Sequence, residues 1–133
     1  MILVIKRFLE WLRLKEKLHT TITKAPHFSQ GEVWWASLGE NVGKEINGKS
    51  ELFTRPVVVF KKLSRDTFLG IPTTSQNRIG TWYVSVHYGE HLVSVILSQA
   101  RVIDAKRLSN RIGRLNEHDV NRVKQGFKEL YLK

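Results

Sequence analysis

The chain has 133 residues, 41% of them hydrophobic, and no cysteine. This length and composition predict one compact domain with its own core, and they exclude a disulfide framework and a thiolate metal site. Nothing in the cysteine usage favours an oxidising compartment, so we expect a cytoplasmic protein. The apolar start MILVI stops at Lys6 and is too short to span a bilayer, so no membrane partner is expected.

The chain is strongly basic, because 22 Lys and Arg residues outnumber 12 Asp and Glu residues and leave a formal net charge of +10. Such an excess favours a polyanionic partner such as a nucleic acid, an acidic protein segment or an anionic lipid. The excess lies before residue 28 and after residue 98. Two solvated helices that keep the protein soluble explain this distribution as well as a binding surface does.

A helix is predicted near each end of the chain. Apolar residues recur at helical spacing between charges over residues 4–18, which predicts an amphipathic helix that buries its apolar side chains. Those side chains are Phe8, Leu9 and Leu12. Near the other end, Asn116 is a suitable N-cap, and acidic residues follow it, so we predict a helix over residues 117–131.

Between the helices, short β-rich runs separated by turn residues predict five strands. They are EVWWASL (32–38), RPVVVFKKL (55–63), TFLGIP (67–72), TWYVSVHY (81–88) and HLVSVIL (91–97). The last two flank Gly89 and Glu90 as the arms of a hairpin, and alternation in the first arm assigns Trp82 and Tyr88 to the core face. DAKRLSN (104–110) predicts a helical turn and RIGRL (111–115) a further short strand.

The pattern as a whole predicts a mainly β fold with flanking helices, in the α+β class. Short antiparallel strands at regular spacing favour a small barrel of about five to seven strands over a parallel α/β sheet. We divide the chain into an N-terminal helix with its linker, residues 1–30, and a barrel domain, residues 31–133.

Several kinds of chemistry have no sequence support. The five histidines are scattered, and only His87 and His91 come close enough to approach each other, across the hairpin turn. Two ligands make a poor metal site, so we expect no metal centre. No P-loop, dinucleotide fingerprint or nucleophile elbow is present, so we expect no cofactor.

A polar constellation remains, formed by Glu45, Arg55 and the run PTTSQ, residues 72–76. Pro56 biases Arg55 toward extended backbone, and a guanidinium suits a phosphate because its planar donors form paired hydrogen bonds. Threonine hydroxyls at a strand end would add hydrogen bonds to the phosphate. The Glu45 carboxylate could accept a proton from a 2′-hydroxyl. From spacing alone, a turn and two surface charges are the commoner interpretation.

The order of the motifs changes that balance. GEVWWASLGENVGKE, NGK, RPVVVFKK, GIPTTSQ and SVILSQARVIDAKRLSNRIGRL follow one another over residues 31–115 and together resemble the MazF/PemK family of toxin endoribonucleases. The resemblance implies an SH3-like barrel, a homodimer, and metal-independent cleavage of single-stranded RNA at short sequences. It also implies a cognate acidic antitoxin whose tail occupies the RNA groove, and DNA binding through the toxin–antitoxin complex.

The resemblance also implies site residues. The family's Gly-x-Glu matches Gly43 and Glu45, its arginine before proline matches Arg55, and its strand-end threonine matches Thr74, with Thr73 as the neighbouring alternative. The implied catalytic pair is therefore Arg55 and Thr74. Because a guanidinium stays protonated, Arg55 is better suited to stabilise the charged phosphorane than to accept a proton. The base is then Glu45 or is left open.

Further residues are candidates for RNA contacts. Trp34 and Trp35 lie on opposite faces of one strand, so one ring should be core and the other accessible, and we take Trp34 as the stacking candidate. Thr73, Ser75 and Gln76 are polar candidates from the strand end. Lys49, Lys61 and Lys62 are candidate phosphate contacts, although lysines that protect a strand edge explain them equally well.

The sequence departs from the compact family pattern in two ways. KSELFT separates Gly48 from Arg55 and lengthens the loop next to the site, and residues 1–30 add a helix and a linker. Two other functions remain open. One is a non-catalytic barrel that binds RNA or DNA, and the other is a membrane-surface protein that uses Trp11 as an interfacial anchor, which Glu10 and Glu16 disfavour.

Overall fold

The computed structural model describes residues 7–21, 25–42, 45–49 and 53–133. Within these ranges it contains two α-helices and seven β-strands. The helices are α1 (Phe8–Thr20) and α2 (Glu117–Tyr131). The strands are β1 (Glu32–Ser37), β2 (Thr54–Lys62), β3 (Thr67–Thr74), β4 (Tyr83–Tyr88), β5 (His91–Ile96), β6 (Arg101–Asp104) and β7 (Leu108–Arg114). Single 3₁₀ turns, Leu97–Gln99 and Ala105–Arg107, flank β6.

The strands form a curled antiparallel sheet in the order β4-β5-β3-β2-β1-β7, and β6 pairs with β3. The first half of β3 pairs with β6, and its last two residues pair with β5, so β3 joins the two parts of the half-barrel. Gly113 of β7 packs directly on Tyr88 of β4, where an added Cβ would lie 2.9 Å from the Tyr88 Cβ. The predicted fold class, a small barrel with flanking helices, is confirmed.

Most of the predicted elements are confirmed. All five predicted strands are present, and α2 covers the predicted residues 117–131, with the Asn116 side chain accepting from the Asp119 N–H at 2.7 Å. The predicted turn is the 3₁₀ turn Ala105–Arg107, and the last strand begins at Leu108, three residues before its predicted start. The sequence pattern did not reveal β6, because four residues with a charge at each end carry little periodicity.

The central strands are buried on both faces. In β2, Val58 packs against the core cluster that includes Val123 of α2, whereas Val57 and Val59 pack into a second cluster on the opposite face. Phe28, from the segment before β1, belongs to that second cluster and is 2% exposed. Burial on both sides explains why β2 has a continuous apolar run where a half-exposed strand would alternate.

Helix α1 docks through a residue other than those predicted. The predicted helix covers residues 4–18, of which 4–6 lie outside the described residues, and α1 runs Phe8–Thr20. The expected burial of Phe8, Leu9 and Leu12 against the barrel is wrong, since they are 48%, 78% and 60% exposed in the single chain, whereas Trp11 is 6% exposed. Their burial against a second subunit of the expected homodimer stays a prediction. Trp11 lies against the barrel, so it does not serve as a membrane anchor. No helix among the described residues is long and apolar enough to cross a membrane.

A buried carboxylate ties β1 to β7. Glu32 is 4% exposed, and its Oε2 accepts from Arg111 at 2.9 Å, with Arg114 at 3.6 Å. Its Oε1 accepts from the Ser29 N–H at 2.6 Å and from the Trp34 ring N–H at 3.2 Å. Burial by itself would raise the pKa of Glu32, but these hydrogen bonds and the charge of Arg111 together hold the pKa below its ordinary value.

Glu32→Gln should lower the free energy of unfolding at pH 7 by about 2 kcal/mol, because it removes the charge that Arg111 and Arg114 face. The folded-state pKa of Glu32 lies below its unfolded value. The stabilisation is therefore complete above the unfolded pKa and is lost as the pH falls through the folded pKa. Urea unfolding of wild type and variant at several pH values should show two stabilities that converge in acid.

Glu90→Gln, the same substitution at an exposed turn residue, is the matched control and should leave the stability unchanged at each pH. A stability difference for Glu32→Gln that stays constant into acid would contradict this account of the Glu32 charge.

Candidate active site

An open groove of about 610 Å³ lies where β2 begins and β3 ends. Strands β1 to β5 and β7 all contribute to its lining, together with one residue of the loop that joins β1 to β2. The lining residues with chemistry of interest are Lys49, Arg55, Thr73, Ser75, Trp35 and His91. The structure thus brings four of the predicted site residues to one groove.

Arg55 is a buried cation in the wall of this groove. It is 9% exposed, and its guanidinium donates from Nε to the Asn47 carbonyl at 2.9 Å and from Nη1 to the Thr73 carbonyl at 3.2 Å. Burial lowers the pKa of Arg55, and no carboxylate in the described chain pairs with it. Among the described residues no buried side-chain nitrogen or oxygen lacks a hydrogen-bond partner, so Nη2 of Arg55, which has none, is accessible to solvent.

The loop between β1 and β2 supplies one of these two carbonyls. Its two arms are held together because the Leu38 N–H donates to the Phe53 carbonyl at 2.8 Å and the Gly48 N–H donates to the Gly39 carbonyl at 2.8 Å. A Cβ on Gly48 would lie 1.5 Å from the Phe53 carbonyl oxygen, so only glycine permits this approach. The arrangement fixes Asn47, the residue before Gly48, beside the Arg55 guanidinium.

Thr73 is a buried structural residue of the groove wall. It is 1% exposed, its hydroxyl donates to the Pro56 carbonyl at 2.9 Å, and its own carbonyl accepts from Arg55. The hydroxyl therefore ties β3 to β2 directly beside Arg55, and it is already engaged with a carbonyl of the main chain.

Thr74 lies at the end of β3, between two residues of the groove, but it does not itself line the groove. It pairs with Ser94 of β5, and the pairing of β3 with β2 ends earlier, at Pro72 and Val57. Thr74 is half-buried, and its hydroxyl oxygen accepts from the Gln76 N–H at 3.2 Å, which leaves the hydroxyl proton for another acceptor.

Lys49 and Ser75 lie at the groove, and Gln76 lies just outside it. Lys49 pairs through its main chain with the first residue of β2 and lines the groove with Ser75. The Gln76 side chain is exposed and accepts from the Arg78 guanidinium. A cationic side chain and a hydroxyl therefore line the groove beside Arg55.

Lys61 and Lys62 are placed elsewhere. They follow Arg55 by six and seven residues along β2, which corresponds to about 20 Å of extended strand. Lys62 donates from Nζ to the Phe28 carbonyl at 3.0 Å and lies 4.4 Å from the centre of the Phe28 ring. The structure does not bring either lysine to the Arg55 groove, so the two strand-end lysines are outside the candidate site.

Glu45 does not line the groove either. Its Oε1 accepts from the Val42 N–H at 2.8 Å, and the residue borders a separate cleft with Gln99 and Arg101. Gly43, which the family motif pairs with Glu45, and residues 50–52 of the lengthened loop lie outside the described residues. The geometry around Glu45 therefore gives no support to its assignment as the base.

The tryptophans differ from the sequence assignment. Trp34 is 7% exposed and packs in the core with its ring N–H on Glu32, so it is not available to stack on a base. Trp35, on the opposite face of β1, is half-buried and lines the groove. The assignment of Trp82 to the core is wrong, because β4 begins at Tyr83 and Trp82 is 53% exposed.

His91 is a groove residue that the sequence analysis assigned no role. The tight turn pairs His91 with Tyr88, whose ring centre lies 5.1 Å from the imidazole. Burial raises the pKa of Tyr88. His87 lies one residue earlier on β4, on the opposite face, 4.0 Å from Asp119. The sequence did contain a signal for the position of His91. The two-residue hairpin turn, once assigned, pairs His91 with Tyr88.

Comparison with known proteins identifies the family. Residues 29–131 match the family described as PemK-like, MazF-like toxin of type II toxin–antitoxin system. This match spans most of the chain, and the chain belongs to that family. No curated protein sequence matches the chain at a significant level.

Solved structures of toxins share the fold. MazF from Deinococcus radiodurans is 20% identical with a TM-score of 0.63, and the match covers 84% of this chain and 100% of that one. An endoribonuclease from a Mycobacterial species, in complex with its cognate antitoxin, is 14% identical with a TM-score of 0.60, covering 79% of this chain and 93% of that one. The Mycobacterium tuberculosis toxin MazF-mt6 is 15% identical with a TM-score of 0.58, and the match covers 75% of this chain and 95% of that one. At these identities the likeness is one of fold.

The two threonines should respond differently to loss of the hydroxyl. Thr73→Val should lower the free energy of unfolding by about 1–3 kcal/mol, because it leaves the buried Pro56 carbonyl without its donor. Thr74→Val should change it by no more than about 0.5 kcal/mol, because Thr74 is half-buried and its hydroxyl accepts only from an exposed N–H. Urea unfolding of both variants measures the difference, and equal costs would contradict the assignment of Thr73 to structure.

Proposed function

We propose that this chain is a toxin that cleaves single-stranded RNA at specific short sequences in the Arg55 groove, and so inhibits translation and growth. One observation carries the proposal. A buried guanidinium, fixed by two carbonyls and without a carboxylate partner in the described chain, opens into a groove. A desolvated and uncompensated cation favours an incoming anion such as a phosphodiester.

The proposed chemistry is transesterification by the substrate itself. The 2′-hydroxyl oxygen loses its proton to a base and bonds to the adjacent phosphorus while the bond from phosphorus to the 5′-oxygen breaks. The 5′-oxygen takes up a proton from water, and the products are a 2′,3′-cyclic phosphate and a 5′-hydroxyl. Because the nucleophile belongs to the RNA, the step requires no metal-activated water. Arg55 stabilises the charge that develops on the phosphorane oxygens, and the hydroxyl of Thr74, at the end of β3, donates a further hydrogen bond.

The step also requires a group that takes the 2′-hydroxyl proton. Glu45 borders a different cleft, whereas His91 lines the groove. Imidazole is the side chain that exchanges a proton near neutral pH. Among the described lining residues, the other titratable groups are lysine, arginine and a tyrosine whose pKa burial raises. We therefore assign proton transfer to His91 in place of Glu45.

RNA binding follows from the same lining. Trp35 offers a ring on which a base can stack, in place of the buried Trp34. Lys49 and Ser75 offer a charge and a hydroxyl for the backbone, with Gln76 beside them. Polar groups around one stacking ring suit a single strand, whose bases are unpaired and free to turn outward.

We also infer the partners from the family. A type II toxin is controlled by a cognate antitoxin, and the Mycobacterial endoribonuclease above was solved in complex with one. An acidic antitoxin segment would be attracted to a chain of net charge +10. We expect it to occupy the Arg55 groove of a homodimeric, cytoplasmic toxin, and the toxin–antitoxin complex to bind DNA.

Arg55→Ala should lower RNA cleavage by at least about 10²-fold, because it removes the donors that stabilise the phosphorane. Arg55→Lys should restore little, since an ammonium cannot donate to both carbonyls and to phosphate in one plane. Mapping of the 5′ ends of a long single-stranded RNA after incubation with each variant measures cleavage.

The control is Arg65→Ala, which removes the same side chain from an exposed turn and should cleave as wild type does. Cleavage by Arg55→Ala at the wild-type rate would refute the site. Binding of RNA by the wild type without any cleavage would refute the endonuclease and favour the non-catalytic barrel.

A 2′-deoxy residue at the cut site should abolish cleavage, and the natural product should carry a 2′,3′-cyclic phosphate, because the 2′-oxygen is the nucleophile. Activity should persist in a metal chelator. Mass spectrometry of the products from matched ribo- and deoxy-substituted oligonucleotides tests both points. Scission of the deoxy substrate would require a different nucleophile and would overturn the mechanism.

The same assay separates the two candidate bases. Glu45→Gln should retain cleavage, whereas His91→Asn should lower it by about 10²-fold. If the Glu45 variant is the inactive one, the proton acceptor is Glu45 and the assignment to His91 is wrong.

A further inference from the structure

We infer that Trp11 of helix α1 is a positioning residue for Arg55, so that α1 holds the active groove in its working geometry. The inference rests on the proposed function, but the contacts that carry it involve no RNA. They run from the helix to the loop between β1 and β2, and from that loop to the guanidinium.

Trp11 contacts the barrel at Gly39. A Cβ on Gly39 would lie 2.0 Å from Cε2 of Trp11, so the indole occupies the space of a side chain at that position. The Trp11 ring centre is 5.6 Å from that of Phe53, and the Arg107 guanidinium lies 5.6 Å from the Trp11 ring centre on its way to the Ser37 carbonyl. The indole is thus enclosed by both arms of the β1–β2 loop and by the turn before β7.

The backbone of Phe53, which Trp11 contacts, has an unfavourable conformation that other residues must stabilise. Its φ is +53°, a left-handed conformation that a bulky residue rarely adopts, and it is 1% exposed. Such a conformation persists only where the surroundings enforce it. The surroundings here are the Trp11 ring on one side, the Arg7 guanidinium 4.2 Å from the Phe53 ring centre, and the N–H groups of Leu38 and Gly39 on the Phe53 carbonyl.

The same contacts determine where Arg55 lies. Phe53 precedes Arg55 by two residues, so its φ sets the direction in which β2 begins. Gly48 packs on the Phe53 carbonyl, and Asn47, next to it, accepts from Arg55 Nε at 2.9 Å. If Phe53 relaxed to a negative φ, both the start of β2 and the Asn47 carbonyl would move, and the guanidinium would lose its fixed position.

The docking of α1 depends on Trp11 to an unusual degree. Leu9 and Leu12 are 78% and 60% exposed, so they add little to the contact with the barrel. The helix has 13 residues, a length that is marginal in water without tertiary support. The C-terminal end of the helix is also tied to the barrel by a hydrogen bond from Lys106 Nζ to the His19 carbonyl at 3.2 Å, and at the other end the Arg7 guanidinium lies on the Phe53 ring.

The test compares Trp11→Ala and Trp11→Phe with Leu12→Ala, an exposed apolar position on the same helix, in the full chain. Trp11→Ala should lower kcat for RNA cleavage by about 10²-fold, the effect of a misplacement of roughly 1 Å. Its KM for RNA should stay within about threefold, because Trp35 and Ser75, which lie outside the β1–β2 loop, are untouched. Trp11→Phe should restore most of the activity, and Leu12→Ala should match wild type.

A second measurement needs no RNA. The Arg55 Nε–H proton, observed by NMR, should exchange faster with water in Trp11→Ala than in wild type or Leu12→Ala, because its bond to Asn47 is weakened. If the wild type itself does not cleave RNA, the proposed function is refuted. The exchange rate of the Arg55 Nε–H proton then remains as the test of positioning. Unchanged kcat and unchanged Nε–H exchange in Trp11→Ala would overturn the inference.

If Trp11→Ala does not fold, Trp11→Leu keeps an apolar side chain without the flat ring and carries the same two measurements. A variant that folds with wild-type stability but with reduced kcat and faster Nε–H exchange supports positioning. A uniform loss of stability with kcat unchanged in the folded fraction would make Trp11 a purely structural anchor and would overturn the inference.

Discussion

The candidate site depends on the way the Arg55 guanidinium is held between two main-chain carbonyls. Removal of a cation from water costs free energy, and the hydrogen bonds to Asn47 and Thr73 offset only part of that cost. A carboxylate would offset more, but it would also neutralise the charge that a phosphate requires. Two uncharged acceptors fix the guanidinium while its charge remains available, and they require β3 and the β1–β2 loop to meet at the mouth of β2.

The contrast with the other arginines supports this reading. Arg111 lies 2.9 Å from Glu32, and Arg122 lies 3.3 Å from Asp119, so each of these cations is paired with a buried acid and serves the fold. Arg107 is half-buried, with its pKa lowered by burial and by Arg101, but the Trp11 ring lies over its guanidinium. At Arg55, burial and hydrogen bonding coincide with an open groove, which is the combination that anion recognition requires.

The additional N-terminal helix is joined to the site in spite of its position in the sequence. Its single buried residue lies on the loop that supplies the Asn47 carbonyl, and the left-handed Phe53 lies between that loop and β2. A lengthened loop beside Arg55 would be expected to weaken the placement of its guanidinium, since more chain must be ordered. The helix offsets this effect, because the Trp11 ring packs on both arms of the loop and holds them in place.

The sequence by itself determined every strand except β6, the helix over residues 117–131 and the extended backbone of Arg55, because these follow from local periodicity, capping and the residue Pro56. Family motifs added the fold and the choice of Arg55. Local patterns state which residues share a face, but they do not state which face is inside. The tertiary structure alone decided that Trp34 is core and Trp35 faces the groove, and that Trp11 is buried instead of Leu9 and Leu12.

The structure of the β1–β2 loop could not be predicted from the sequence, for a related reason. The positions of Asn47, Glu45 and Phe53 are set by contacts such as the approach of Gly48 to the Phe53 carbonyl, and no periodic pattern records these. His91 reaches the groove only because the hairpin, β3 and β7 curve around one space. Packing between distant segments therefore decided which charged groups meet at the site, whereas local chemistry decided only which of them could serve there.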